Sequence, residues 1–188
     1  LALAARQVLR TRPGVEVTNL STSRLLDDVA EAAGQRVERA PVGEVNVAVA
    51  MRRLQSPIGG EGNGGVILPE LHLGRDGPVA AALLLQLLVE EARPLSALVA
   101  SLPKYAIVKD KLPRPDQPLG AVYDALTAAF PEAAVDTQDG LRLSWPDRWL
   151  HVRPSGTDPI VRVLAVAPPD AEARGLEGGA RTPLDALA

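Results

Sequence analysis

The chain has 188 residues, enough for one large or two small domains, and 46% of them are hydrophobic, which is ample for a core although aromatic residues are scarce. A formal net charge of −3, with no basic amphipathic run and no ladder of aromatic residues, argues against a nucleic-acid-binding protein and against a membrane-surface protein. The absence of cysteine excludes disulfides, thiolate metal sites and a cysteine nucleophile, and the most apolar stretch, Val79–Val89, is too short to span a bilayer.

The first half of the chain alternates predicted helices with predicted strands. It starts inside a helical pattern without an initiator methionine or a signal peptide, so we expect a cytoplasmic fragment of a longer protein. In chain order the elements are a helix over Leu1–Arg10, a strand over Val15–Leu20, a helix over Arg24–Ala33, a strand over Arg36–Ala40, a helix over Glu44–Gln55, a strand over Val66–Leu68 and a helix over Pro78–Ala92. This alternation predicts an α/β domain with a mixed, largely parallel sheet.

Five glycines in seven residues mark the stretch Gly59–Gly65, which we predict to be a loop. Glycines let the backbone approach a ligand, and the only side chains in the stretch are those of Glu61 and Asn63. A carboxylate beside an amide suits neighbouring hydroxyl groups, because Glu61 accepts hydrogen bonds and Asn63 both accepts and donates them. The spacing also matches G-x-G-x-x-G, but a strand follows where a dinucleotide fold requires a helix. A flexible hairpin is the alternative.

Arg93-Pro94 interrupts the alternation, and we predict two domains, over residues 1–96 and 97–188. The remaining elements are a helix over Leu95–Ser101, a strand over Tyr105–Val108, a helix over Leu119–Phe130, and strands over Ala134–Asp136, Gly140–Trp145, Trp149–Val152 and Ile160–Ala167. Successive strands joined by short turns predict an antiparallel sheet with helices on one face, and hence a smaller α+β domain. The glycine-containing tail after residue 168 is expected to fray.

The hexapeptide Arg153–Asp158 lies between two alternating apolar runs and is predicted to be a tight loop at a sheet edge. Its residues have the chemistry of an oxyanion receptor. Arg153 offers a planar fork of donors, Ser155 and Thr157 add hydroxyl groups, and Gly156 lets backbone N–H groups turn toward an anion. Phosphate binding is one interpretation of this loop, and an ordinary turn with a surface arginine is the other.

The glycine stretch and the later Arg153–Pro159 segment together resemble the α-D-phosphohexomutases, the family of phosphoglucomutase, phosphomannomutase and phosphoglucosamine mutase. The connecting pieces that match are Val42-Gly43, Arg75-Asp76-Gly77, and Pro94-Leu95-Ser96 ahead of Leu102–Tyr105. The resemblance covers roughly residues 1–167. It is specific because two motifs occur in the family's order about ninety residues apart.

The resemblance implies a four-domain parent, of which this chain looks like the third domain and a fourth domain with a fold like that of the TATA-binding protein. By match, sugar hydroxyls are held by Glu61, Gly62, Asn63 and Gly43, and the substrate phosphate by Arg153, Ser155, Gly156 and Thr157. The implied reaction interconverts hexose 1-phosphate and hexose 6-phosphate through a phosphoserine and a bisphosphate intermediate. It uses Mg²⁺ held by three aspartates, and the family also implies a hexose bisphosphate activator.

Two parts of the family pattern are missing from this chain: the Ser-His-Asn triplet that carries the phosphoserine and the Asp-x-Asp-x-Asp-Arg metal loop. Phosphoryl transfer depends on positioning and metal electrostatics. We therefore predict that the parent is a mutase and that this chain alone is inactive, without catalytic or metal-binding residues; Glu44, after Val42-Gly43, is a candidate for an acid/base or hydroxyl-binding role. The expected partners are a hexose phosphate and the N-terminal domains of the same chain. The alternative function is a non-catalytic module that binds phosphorylated ligands.

Because the two implied binding motifs fall in separate domains, we expect hinge closure through Arg93–Lys111. All three lysines of the chain, Lys104, Lys109 and Lys111, lie in this segment, where a solvated stretch and a phosphate contact are the alternatives. Asn19, at the end of a predicted strand, has two interpretations: turn chemistry or a place in the ligand site.

Overall fold

The computed structural model describes residues 1–115, 118–168 and 170–186. These residues form two compact units, Leu1–Pro103 and Lys104–Ala188. The boundary expected after residue 96 falls inside a short helix, α5 (Leu95–Ala100). Leu98 of this helix is fully buried in an apolar cluster with Leu3. That contact keeps α5 with the first unit, so the chain divides after Pro103.

The first unit is a mixed sheet with helices on both faces. Its elements in chain order are α1 (Ala2–Leu9), β1 (Glu16–Asn19), α2 (Leu25–Ala32), β2 (Val37–Ala40), α3 (Glu44–Leu54), β3 (Gly59–Glu61), β4 (Gly65–Ile67), α4 (Gly77–Glu91) and α5. The strand order is β2-β1-β3-β4. Strand β1 is parallel to β2 and to β3, whereas β4 is antiparallel to β3. The prediction of an α/β domain with a largely parallel sheet is confirmed.

An apolar layer lies on each side of this sheet. On one face, α1, α2 and α4 cover a cluster that includes Leu26 and Val66. On the other face, α3 packs Met51 against Val17 and Ile67. Because successive residues of a strand point to opposite faces, the apolar Val17 faces α3 and its neighbour Thr18 faces the other layer.

Most of the glycine stretch is strand and not the predicted loop. Gly59–Glu61 forms β3 and Gly65–Ile67 forms β4, so only a tight turn remains between them. Close packing requires several of the glycines. A Cβ on Gly60 would lie 2.0 Å from the Gly65 carbonyl oxygen, and a Cβ on Gly59 would lie 2.5 Å from the carbonyl oxygen of Val17. These two glycines therefore serve the packing of the sheet and do not leave backbone open to a ligand.

The second unit is an antiparallel sheet with helices packed on one face. Its elements are β5 (Ala106–Pro113), α6 (Leu119–Ala129), β6 (Ala134–Asp136), β7 (Leu141–Ser144), β8 (Trp149–Pro154), β9 (Ile160–Ala167) and α7 (Asp170–Ala186). The strand order is β5-β9-β8-β7-β6. One apolar cluster joins α6 and α7 to the sheet. The predicted α+β domain with an antiparallel sheet is confirmed.

The expectation that the tail frays is wrong, because the tail forms helix α7. This helix buries Ala173, Leu176, Ala180 and Leu184 in the core of the second unit. Their spacing of three or four residues is that of one helix face. Packing of this apolar face overrides the low helix propensity of the glycines between them.

Within the described residues, no helix has the length and apolar character needed to cross a membrane.

Glu16 predicts a pH dependence of stability. Its side chain is fully buried in β1, and neither carboxyl oxygen has a hydrogen-bond partner among the described residues. Burial raises the pKa of Glu16 well above its usual value. The folded chain therefore keeps a proton that the unfolded chain releases above about pH 4.5. The free energy of unfolding should fall as the pH rises from there through the folded-state pKa.

We expect Glu16→Gln to remove this fall in stability with rising pH and to raise the free energy of unfolding at pH 8 by on the order of 1 to 3 kcal/mol. Urea unfolding at pH 5 and pH 8 measures the effect. Glu31→Gln, on the exposed side of α2, is the matched control and should keep the wild-type pH dependence. The same pH dependence in wild type and Glu16→Gln would contradict the role assigned to Glu16.

Candidate functional site

Glu61 is a nearly buried acid at the carboxyl end of β3. Strands β1 and β3 are parallel with Thr18 opposite Gly60, so Asn19 and Glu61 end neighbouring strands side by side. The Asn19 amide donates a hydrogen bond from Nδ2 to Glu61 Oε1 at 2.8 Å. One oxygen of the Glu61 carboxylate is therefore oriented by the neighbouring strand.

Two threonines complete this buried network. The Thr22 hydroxyl donates to Asn19 Oδ1 at 2.9 Å and accepts from the Gly62 N–H at 2.9 Å. The Thr18 hydroxyl lies 2.7 Å from Thr22 Oγ1 and 2.8 Å from the Gly60 carbonyl oxygen. Because Asn19 Oδ1 accepts from Thr22, its Nδ2 faces Glu61. The network thus orients the amide and also holds the backbone of Gly62.

The other two residues predicted to bind sugar hydroxyls lie at turns. Asn63 is exposed at the tip of the β3–β4 turn, where its Oδ1 accepts from the Gly65 N–H at 3.4 Å. Gly43 precedes the first residue of α3 and has a φ of +128°, a backbone conformation that favours glycine. The structure therefore brings Glu61, Gly62 and Asn63 together on one hairpin and places Gly43 at the start of α3.

Arg75 connects Glu44, the first residue of α3, with Glu61. Arg75 Nε donates to Glu44 Oε2 at 2.8 Å, and the Arg75 backbone N–H donates to Glu44 Oε1 at 2.8 Å. Arg75 Nη1 lies 3.3 Å from Glu61 Oε2. The backbone and side-chain hydrogen bonds from Arg75 lower the pKa of Glu44. An ionised carboxylate that accepts both bonds is suited to positioning Arg75 and not to donating a proton at neutral pH.

Gly65 makes room for this arginine. A Cβ on Gly65 would lie 2.1 Å from Arg75 Cδ and 2.8 Å from its Cγ. The aliphatic part of Arg75 therefore crosses the hairpin directly over Gly65 on its way to Glu61. The last glycine of the stretch thus has a role in the site, because a side chain there would displace the arginine.

The second candidate site is the turn between β8 and β9, residues 155–159. Both strands are inner strands, so the turn lies at one end of the sheet and not along its edge as predicted. The hydroxyls of Ser155 and Thr157 both donate to Asp158 Oδ2, at 3.3 and 2.9 Å. Arg162 Nη2 lies 3.6 Å from the same oxygen. Asp158 therefore gathers the hydroxyls on one side of the turn, next to the exposed Gly156.

Arg153, near the end of β8, is held by the turn between β6 and β7. Its Nε lies 3.0 Å from Asp139 Oδ2, in an ion pair without the geometry of a directed hydrogen bond. The carbonyl oxygen of Asp139 accepts from His151 Nε2 at 2.7 Å, and burial lowers the pKa of His151, so that the donor is a neutral imidazole. Gly140 allows the close approach, because a Cβ there would lie 2.8 Å from Arg153 Cα. The Arg153 side chain is therefore restrained before any ligand binds.

The contacts that orient the predicted site residues are the part that sequence reasoning missed. Asn19 has a strand-end position and Arg75 belongs to a matching tripeptide, but neither pattern says that both meet Glu61. Asp139 carried no signal for a contact with Arg153. These contacts depend on strand pairing and on turns far apart in the sequence.

Among the described residues, no three His, Asp or Glu side chains come together so as to hold a metal ion. The described part of the chain therefore offers no ligand set that fits the Mg²⁺ implied by the resemblance.

His72 is a loop histidine, whose Nδ1 accepts from the Gly74 N–H at 3.1 Å and whose Nε2 lies 3.0 Å from Asp76 Oδ2. These contacts occupy both ring nitrogens.

The chain is similar to one protein family over most of its length. Residues 1–105 match the family model described as phosphoglucomutase/phosphomannomutase, alpha/beta/alpha domain III. Residues 105–179 match the model of the phosphoglucomutase/phosphomannomutase C-terminal domain. The two matches meet close to the division between the two compact units.

Individual relatives agree with these matches. A probable phosphoglucosamine mutase of Methanopyrus kandleri is 40% identical over 179 residues, which cover 94% of this chain and 40% of that protein. An X-ray structure of a phosphoglucomutase/phosphomannomutase family protein from Burkholderia thailandensis matches with a TM-score of 0.79 at 27% identity, covering 100% of this chain and 41% of that one. Aspergillus fumigatus N-acetylphosphoglucosamine mutase, solved in complex with GlcNAc-6P and magnesium, shares the fold with a TM-score of 0.66 at 15% identity, over 100% of this chain and 43% of that one. The chain spans about two fifths of the length of these relatives.

Proposed function

This chain belongs to the phosphoglucomutase/phosphomannomutase family, and from that premise we propose that it is the hexose-phosphate-binding part of a mutase. The parent protein interconverts hexose 1-phosphate and hexose 6-phosphate through a phosphoserine and a bisphosphate intermediate. The similarity to a probable phosphoglucosamine mutase favours a glucosamine phosphate as the substrate.

The observation that supports the proposal most strongly is that both binding motifs end ordered strands and are held there by neighbouring side chains. Glu61 is oriented by Asn19 and Arg75, and Arg153 is restrained by Asp139. A receptor group that is already positioned loses less conformational entropy when the ligand binds. This arrangement favours recognition of a defined ligand over a general surface role.

Glu61 accepts hydrogen bonds from sugar hydroxyls in this proposal. An ionised carboxylate offers about four acceptor positions. Asn19 approaches one oxygen and Arg75 the other, which leaves acceptor positions for neighbouring hydroxyl groups. Asn63, exposed on the same hairpin, adds an amide that both donates and accepts. Ring hydroxyls that are equivalent in the two orientations of the sugar suit this pair of groups.

The β8–β9 turn anchors the phosphate that is not being transferred. Arg153 supplies N–H donors in the fork geometry that matches phosphate oxygens. Ser155 and Thr157 supply hydroxyl donors, which turn from Asp158 to the ligand, and Gly156 supplies an exposed backbone N–H. Charge and hydrogen bonding together favour a phosphate ester over a free sugar.

We assign the transfer step itself to parts of the parent outside this chain. The phosphoserine triplet and the triple-aspartate loop are missing from the sequence. Mg²⁺ supplies charge neutralisation in phosphoryl transfer, and in this proposal its ligands also lie outside the chain. The chain alone therefore binds its ligand without turnover.

Calorimetric titration of the chain with glucosamine 6-phosphate, mannose 6-phosphate and glucose 6-phosphate tests the proposal. We expect the three esters to bind, glucosamine 6-phosphate most tightly, and free glucosamine to show no measurable heat. A coupled mutase assay should detect no turnover by the chain alone. Failure of all three esters to bind would contradict the proposal, and equally tight binding of phosphoserine would favour a general module for phosphorylated ligands instead.

Arg75→Ala should weaken binding of glucosamine 6-phosphate about five- to thirtyfold. The substitution removes the partner of Glu61 Oε2 and leaves the Glu44 and Glu61 carboxylates without the charge between them. Loss of a hydrogen bond to a charged group is worth about 1 to 2 kcal/mol here, after allowance for the partial exposure of Arg75. Titration calorimetry measures the change. Arg52→Ala, at an exposed position of α3, is the control. Equal losses of affinity in Arg75→Ala and Arg52→Ala would rule out a role of Arg75 in positioning Glu61.

A further inference from the structure

One face of the sheet in the second unit carries a row of cations. Helices α6 and α7 cover the opposite face. The strand register places Lys111 of β5 opposite Arg162 of β9, and Arg162 opposite Arg153 of β8. Residues directly opposite each other on neighbouring strands point to the same face. Three positive side chains therefore stand in line across three strands, and Lys109 lies on the same face two positions before Lys111.

The fold itself does not require this row. Like charges directly opposite each other destabilise a sheet. Within the described part of the chain, no carboxylate pairs with the side chain of Lys109 or Lys111, and both lysines are exposed. Asp110 lies between them in sequence, but its carboxylate pairs with Arg181 of α7 at 2.7 Å. Among the residues that the structure describes, neither burial nor an ion pair therefore accounts for the two lysines.

The row is continuous with the β8–β9 turn. Arg162 Nη2 lies 3.5 Å from Ser155 Oγ and 3.6 Å from Asp158 Oδ2, both in that turn. Arg162 also lines a surface depression of about 420 Å³ together with Lys109, Lys111, Leu164 and Asp110, and the Asp110 carboxylate is paired with Arg181. One arginine therefore borders both the turn and the depression.

The spacing indicates which kind of anion fits. Neighbouring strands lie about 5 Å apart, so an anion beside Arg162 and Lys111 would adjoin a phosphate held by Arg153 and the turn. Two phosphoryl groups joined in a diphosphate are direct neighbours in this way. Phosphates at opposite ends of a hexose ring are separated by the ring and do not match adjoining positions.

We propose that Lys109, Lys111 and Arg162 form a second anion site, contiguous with the β8–β9 turn, for the second phosphoryl group of a diphosphate-containing ligand. The proposal rests on the proposed function in one respect, namely that the turn binds the first phosphoryl group. Such a ligand competes with the hexose monophosphate for the turn. The site thus makes diphosphates competitive ligands of this unit.

Calorimetric titrations with inorganic phosphate and inorganic pyrophosphate test the second site. Wild type should bind pyrophosphate about tenfold more tightly than phosphate. Lys111→Met keeps the length of the side chain and removes its charge, and it should weaken pyrophosphate binding about fivefold or more while leaving phosphate binding unchanged. Lys104→Met is the matched control from the same lysine-containing segment, because Lys104 is exposed and outside the depression.

Thermal unfolding without ligand confirms that the variants are folded, and Lys111→Met should unfold at or slightly above the wild-type temperature because a like-charge contact is removed. A pyrophosphate affinity no higher than that for phosphate would overturn the second site. Equal losses of pyrophosphate affinity in Lys111→Met and Lys104→Met would also overturn it, because they indicate general charge attraction. Absence of phosphate binding by wild type would instead overturn the role of the turn, and hence the proposed function.

Discussion

Replacing Arg153 with alanine should weaken binding of glucosamine 6-phosphate by this chain about ten- to hundredfold. A hydrogen bond to a charged group is worth about 1.5 to 3 kcal/mol, and each 1.4 kcal/mol is a factor of ten in affinity. Arg153 is the restrained cation of the turn, because Asp139 lies 3.0 Å from its Nε and the Gly140 backbone packs against its Cα. Titration calorimetry with the phosphate ester measures the change directly.

Two further variants separate the possible causes of this loss. Arg153→Lys keeps the charge but not the planar fork, and we expect it to recover part of the affinity and no more. Arg36→Ala removes an exposed arginine of the first unit that pairs with Glu38, and it should bind like wild type. If Arg153→Ala binds the ester as tightly as wild type does, the turn is not the phosphate anchor.

Gly60→Ala should lower the free energy of unfolding by about 3 to 5 kcal/mol. The residue has a φ of +152°, and a Cβ would lie 2.0 Å from the carbonyl oxygen of Gly65 on the paired strand. The two closest atoms are the carbonyl oxygen and carbon of Gly65, which are backbone, so relief requires β3 and β4 to move apart. Because β3 also carries Glu61, the same movement should abolish the orientation of its carboxylate.

Urea unfolding of Gly60→Ala and Gly64→Ala tests this explanation within one hairpin. Gly64 has a φ of +102° but open space where its Cβ would be, so Gly64→Ala carries conformational strain alone and should lose only about 1 to 2 kcal/mol. Similar losses of unfolding free energy in the two variants would mean that the contact between β3 and β4 is not what excludes a side chain at Gly60.

Local sequence patterns predicted most of the secondary structure. These patterns identified β1, β2 and the strands of the second unit as strands, and α1, α2, α4 and α6 as helices. Asp76 stands directly before α4 and is a residue type that caps helices, and its Oδ1 accepts from the Val79 N–H at 2.9 Å. These features are predictable because strand periodicity, helix periodicity and capping depend on residues within a few positions of each other.

The tail shows the limit of local patterns. Its glycines indicate a poor helix, and the benefit of burying Leu176 and Leu184 against a distant sheet is invisible in the sequence of the tail itself. The prediction for the glycine stretch is wrong for the same reason. Its composition indicates a loop, but Gly59 and Gly60 are strand residues, and the backbone of Val17 and Gly65 leaves no room for a side chain at either position.

The motif residues Glu61, Asn63 and Arg153 could be identified from the sequence because glycine spacing and the Arg-Pro-Ser-Gly-Thr run carry their chemistry locally, and the family they indicated is confirmed. The tertiary structure alone decided how those residues are held. Asn19 meets Glu61 across 42 positions because β1 and β3 are parallel neighbours in one register. The cation row has the same origin, since Lys111, Arg162 and Arg153 become neighbours only through strand pairing. Such contacts are products of sheet register, which depends on the packing of the whole unit and not on any short segment.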